Sequence, residues 1–244
     1  MDAGDFYLTA PSNASFRTYP DNTQSTFKIQ TAKAIDLARY EVALTEIQYP
    51  KSWLTLSDCS LEVRQLNDDT LTARIPGGRY VDMEQLVDTI QRHVTNLKLA
   101  NSLLVTWDPI RLKTSVIIRA TGMSLSITPQ LARILGFETH QFTTGVTTSK
   151  NHSDIDEGMS AIYVYSNIVQ NQLVGDSLVP LLRVVPIRGG REELYRSEEF
   201  LHPHYLPTVK ETTSELQFYL RRDDGTPISF KTGKVVLTLH FRKI

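Results

Sequence analysis

Apolar residues at every second position govern both halves of this 244-residue chain. Leu216, Phe218 and Leu220 share one face of an extended run, and Val235, Leu237, Leu239 and Phe241 share one face of the last. Period-two alternation buries one side of a strand and is incompatible with a helix over the same residues. Thr26-Phe27-Lys28-Ile29-Gln30 alternates likewise, and Tyr40 to Tyr49 is a longer β-leaning run closed by Pro50. Leu61 to Leu66 alternates, Asn67 to Thr70 is a turn cluster, and Leu71 to Ile75 is its return strand. After Ala161 the pattern resumes, with Ala161 to Val169 rich in aromatic and β-branched residues and Leu181 to Ile187 a further apolar run.

Between these halves the period changes. Beyond Pro76-Gly77-Gly78, residues Met83, Leu86, Val87, Ile90, Val94 and Leu97 fall on one face of a helix. Asp82 and Gln85 have the spacing of a capping box. Leu103 to Trp107 and Lys113 to Ile118 read as strands. Thr128-Pro129 opens a short helix with the stripe Leu131, Ile134 and Leu135, and Gly136 ends it. The expected fold class is therefore mainly β: a single jelly-roll sandwich built from 1–75 and 151–244, with a small α+β insertion at 76–150. Thr139 to Gly158 is expected as an exit linker, and the last strand as part of the sheet.

Composition narrows the function classes. The formal net charge is −1, with 26 Lys and Arg against 27 Asp and Glu. No long-range attraction to nucleic acid or an anionic membrane follows from that balance. Cys59 is the single cysteine, so no intrachain disulfide is possible and a reducing compartment is expected. The first residues carry no basic and apolar leader, so secretion is not expected, and no apolar run approaches the ~18 residues of a membrane span. The Asn13 and Asn151 glycosylation sequons are accordingly read as chance.

Five short motifs invite chemistry, and each has a plainer reading. Asp223-Asp224-Gly225 sits between two apolar runs and has the residues a turn requires. Gly175-Asp176-Ser177-Leu178 spells the GDSL esterase signature, yet none of the six histidines has an aspartate three residues before it to supply that family's base. His202-Pro203-His204 splays its rings apart on an extended backbone, and zinc wants three or four ligands. Arg188-Gly189-Gly190-Arg191 and Pro76-Gly77-Gly78-Arg79 lack the phosphate-loop pattern. No catalytic, metal or cofactor site is expected. The proline-bearing stretch from Tyr195 to Tyr205 reads as a long loop suited to contacts with another protein.

Several longer segments carry a resemblance. "FYLTAPSNAS", "YPDNTQSTFKIQTAKAIDLARYEVALTEIQYPKSW", "LVGDSLVPLLRVVPI" and "TGKVVLTLHFRK" resemble, in that order, segments of the minor capsid protein of Polintons, also called Mavericks, and of the related adintoviruses. This implies a penton of the virophage and adenovirus lineage: a single jelly roll with insertions. Five copies would ring each vertex of an icosahedral capsid, among trimers of a double jelly-roll major capsid protein. The implied location is the virion, after synthesis inside the host cell, with any nucleic-acid contact confined to an inner capsid face. Adenovirus-type pentons carry an Arg-Gly-Asp attachment loop; the nearest segment here, Arg188-Gly189-Gly190, does not match it. Candidate subunit contacts are Gly175, Leu181 and Arg183 in one segment and Tyr195, Phe200 and Tyr205 in the next. The competing reading is a jelly-roll attachment module for a glycan or receptor, such as a domesticated copy would be. It would want an exposed tryptophan, whereas Trp53 and Trp107 sit in apolar contexts.

Overall fold

The computed structural model describes residues 4–188 and 193–244. The chain divides into two compact units, one from 1–53 with 159–244, the other from 54–158. The first unit opens with β1 (Phe6–Pro11), β2 (Thr26–Asp36) and β3 (Tyr40–Pro50). The second holds β4 (Cys59–Arg64), β5 (Thr70–Ile75), α1 (Met83–Asn96), β6 (Leu103–Asp108), β7 (Lys113–Ile118) and β8 (Ser124–Ile127). It continues with α2 (Pro129–Ile134), β9 (Gln141–Thr143) and β10 (Gly145–Thr148). The first unit resumes with β11 (Ala161–Ser166), β12 (Gln172–Val174), β13 (Ser177–Val179), β14 (Leu181–Pro186) and β15 (Tyr195–Glu199). It ends with β16 (Leu206–Pro207), β17 (Thr212–Arg221) and β18 (Val236–Lys243).

Two antiparallel sheets make the first unit. One runs β1-β18-β3-β15, with short β16 pairing β3 alongside β15; the other runs β14-β11-β17-β2. Take β15 and β16 as one split strand and set the β12–β13 hairpin aside. The strands in chain order then fill the two sheets as 1-8-3-6 and 2-7-4-5. Apart from neighbours β11 and β14, consecutive strands pass back and forth between the sheets, which is the double Greek key of a jelly roll. The alternation seen in the sequence faces inward. Phe27 and Ile29 of β2, Leu216, Phe218 and Leu220 of β17, and Leu237, Leu239 and Phe241 of β18 join one core.

One local defect keeps β3 in register with that core. Its residues in that core are Tyr40, Val42 and Leu44, then Ile47 and Tyr49, a switch from even to odd. The register against β18 shifts there: Leu239 pairs with Leu44 and Thr238 with Glu46, leaving Thr45 as an extra residue. Such a bulge adds one residue to one strand and bends it. The Thr45 carbonyl accepts a hydrogen bond from the Phe200 amide at 2.9 Å.

The second unit has its own core. Leu61, Val63 and Ile75 pack with Leu86, Ile90 and Val94 of α1 and with Leu125 and Ile127 of β8. Its sheets run β5-β4-β8-β9 and β10-β7-β6. Asp82 caps α1 as expected, accepting from the Gln85 amide at 2.8 Å. The Gln85 side chain reaches back one residue further than a capping box requires, to the Val81 amide at 2.7 Å.

Residues 54–75 and 151–158 group with the second unit, beside the insertion expected at 76–150. Alternation reveals that β4 and β5 are strands but not which core they face. Two expectations, on Thr139 to Gly158 and on Tyr195 to Glu199, are corrected. Thr139 to Gly158 is not a linker: it contributes β9, β10 and the buried Ile155. Tyr195 to Glu199 is not loop but a strand pairing β3 from Pro50 to Glu46. Its sequence, YRSEE, has no apolar face, because backbone pairing at a sheet edge holds it and core burial does not.

Candidate assembly surface

The motifs that suggested chemistry resolve into turns. Asp224 Oδ1 accepts from the amide of Thr226 at 2.8 Å and from its hydroxyl at 2.6 Å. These bonds hold the Asp224 carboxyl below its ordinary pKa. The Arg222 amide donates to the Thr226 carbonyl at 2.9 Å, closing the connection. The pair that could have been an acid–base or metal site is thus a hydrogen-bonded turn. Gly175 and Asp176 form the tip of the β12–β13 hairpin, where Gly175 has φ +61°, a left-handed value that favours glycine. Ser177 hydrogen-bonds to Asp176 at 3.0 Å, and no histidine bonds it among the described residues. Among the described residues no group of three or more His, Cys, Asp or Glu is placed to hold a metal ion, and no helix is long and apolar enough to cross a membrane. Of the Arg188-Gly189-Gly190-Arg191 segment, positions 189–191 lie outside the described residues; Arg188 pairs with Glu198 at 3.6 Å. Trp53 is buried against Phe230, and Trp107 packs on the second core.

The structure draws half of the candidate contact residues, Leu181, Arg183 and Phe200, to one groove. β14 is an edge strand, bonded only to β11 in its sheet. Beside it, the chain leaving β15 forms the far wall of a groove of about 680 Å3. Leu181, Arg183 and Val184 line the near side; Glu199, Phe200, Leu201, His202 and His204 line the far side. Arg183 spans the groove. Its guanidinium carbon sits 4.0 Å from the centre of the Phe200 ring, and Nη1 donates to the His202 carbonyl at 3.3 Å. Burial pulls the Arg183 pKa down from its ordinary value, and no carboxylate pairs with it among the described residues. The half-buried cation is met by a ring and a carbonyl, and its remaining exposed face is open to a negative partner.

The other candidates lie apart. Tyr195, at the start of β15, is 61% exposed, with its hydroxyl above Gly233. Tyr205 is bound internally: its hydroxyl meets Nδ1 of His240, which itself stacks on Tyr7 at 4.4 Å. Gly175 belongs to a hairpin whose Leu173 and Leu178, paired across the strands, are both largely exposed. Those two leucines were missed from the sequence, where an apolar residue three from a turn gives no sign of facing solvent.

No family model matches the chain, and no curated protein matches it. Among solved structures it is similar to a selenomethionine-labelled mavirus penton protein. The identity is 12% and the TM-score 0.47, over 98% of this chain and 100% of that one.

Proposed function

We propose that this chain is a structural minor capsid protein of the penton type, without catalytic activity, whose copies associate as a fivefold ring. The observation that carries the reading is the strand order, 1-8-3-6 facing 2-7-4-5. It is the jelly roll that the sequence resemblance to Polinton minor capsid proteins implies. Jelly rolls also serve lectins and cupins, so fold analogy alone is a weak argument. Two further features support a ring. The sheet β14-β11-β17-β2 ends in two unlike edges, and a closed ring requires two different surfaces on each subunit. The net charge of −1 allows close packing of several copies without strong repulsion. In this reading Leu181, Arg183 and Phe200 form one contact surface, Tyr195 and the Gly175 hairpin make separate contacts, and Tyr205 is held within its own sheet by His240. The remaining partner is a double jelly-roll major capsid protein around the vertex, and the site of action is the virion. Native mass of the purified protein tests this. A ring of five 27.6 kDa chains gives about 138 kDa; a species that stays at 27.6 kDa across a concentration series overturns it.

A further inference from the structure

The two edges of the β14-β11-β17-β2 sheet carry charges of complementary sign. Arg183, without a carboxylate, stands on the β14 edge, and Glu199, at the end of β15, lines the other side of the groove, exposed and without an ion-pair partner among the described residues. Val184 and Leu201 add exposed apolar surface there. At the opposite edge, β2 is closed off by the segment 12–25. The Asn22 side chain takes the place of a neighbouring strand, accepting from the Lys28 amide at 2.8 Å and donating to the Lys28 carbonyl at 2.8 Å. Ser15 accepts from the Gln30 amide at 3.0 Å. Tyr19 fixes the segment from the other side: its hydroxyl lies 2.8 Å from Glu215 Oε2 and 2.9 Å from Gln30 Oε1.

The segment so anchored presents Phe16, 52% exposed, together with exposed Arg17 and Asp21. Neither charge has an ion-pair partner among the described residues. One edge therefore shows an unanswered cation and anion in a groove of mixed polar and apolar lining, with Val184 and Leu201 exposed. The other shows an unanswered anion and cation beside an exposed phenylalanine.

The geometry points to a specific head-to-tail contact between copies of this chain. The 12–25 segment of one copy seats in the β14 groove of the next, Asp21 against Arg183, Arg17 against Glu199, and Phe16 against Val184 and Leu201. Because the surfaces lie at opposite ends of one sheet, each copy gives one and receives the other, as a closed ring requires. This rests on the ring reading above and names the contact that closes it. Opposite charges at a subunit boundary set the register, and like charges there are penalised.

Charge reversal tests it by native mass at fixed protein concentration. Arg183→Glu and Asp21→Arg are each expected to weaken ring association by at least about tenfold, and the double variant to restore it. Arg17→Glu and Glu199→Arg form a second swap at exposed positions, which separates association from any folding defect at half-buried Arg183. Rings that survive all four single reversals overturn this contact and leave the ring reading standing. Loss in the singles with no recovery in either double also overturns the pairing. Wild-type protein that is monomeric overturns both.

Discussion

The Tyr205 hydroxyl lies 2.6 Å from Nδ1 of His240, and the Arg242 guanidinium covers the same tyrosine ring at 3.7 Å. Arg242 in turn donates to Glu41, its cross-strand neighbour on β3. A residue that looks like a contact aromatic in the sequence is thus tied to the outer face of its own sheet. Tyr205→Phe should cost about 1 kcal/mol of stability, the usual net worth of one hydrogen bond, in a urea titration. Tyr195→Ala should leave that titration unchanged and reduce ring yield. A destabilised Tyr195→Ala, or a neutral Tyr205→Phe, would reverse these roles.

Glu215 links the 12–25 segment to the sandwich, accepting from Tyr19 and from Lys28 Nζ at 3.0 Å. The Tyr19 bond, then the Lys28 bond, hold its carboxyl below its ordinary pKa. A depressed folded pKa stabilises above the unfolded value, about 4.3, and that stabilisation is lost as pH falls through the lower folded value. Glu215→Gln should therefore melt below wild type at pH 7, and the gap should close as pH drops below about 4. A gap that is constant with pH would remove the electrostatic cause.

Gly77 and Gly78 are adjacent and should behave oppositely. A Cβ on Gly77 would stand 2.4 Å from the Asp58 amide nitrogen and 2.8 Å from the Ser57 carbonyl carbon, while one on Gly78 meets nothing within 4 Å. Backbone cannot yield as a flexible side chain can. Gly77→Ala should lower the melting temperature clearly and Gly78→Ala hardly at all; equal effects would contradict the close approach.

Phe218 is fully buried in the core between the sheets, beside its cross-strand neighbour Phe27 of the same sheet, with ring centres 5.3 Å apart. Phe218→Ala should cost about 3–5 kcal/mol, the range for emptying an aromatic core site, measured as a lower urea midpoint. A loss under about 1 kcal/mol would mean that the two sheets do not share this core.

Asp224→Ala separates turn from site. Loss of the Thr226 bonds should lower the melting temperature slightly, and added zinc, magnesium or calcium should shift neither protein. A metal-dependent rise in wild type alone would restore the site reading.

How much of this was legible in the sequence depends on what holds each element. β2, β17 and β18 were readable because the core pays for one face of each, which leaves alternating apolar residues. α1 was readable from its period and from Asp82. β15 was not, since a polar edge strand leaves no apolar trace, and the edge groove with it was out of reach. The split of strands between two cores was equally hidden, because β4 and β5 alternate whichever core they serve. Arg183 could be picked out as a residue but not as an unanswered charge, since Phe200 and His202 reach it only through the path of β15. The counterpart at Asp21 needed knowledge that β2 and β14 end the same sheet.

The central claim is rotational order, and images of the particle read it directly. Single-particle class averages of the purified protein, viewed down the ring axis, should show five equal lobes and a fivefold peak in the rotational power spectrum. Averages with twofold, threefold or no symmetry would contradict a vertex ring.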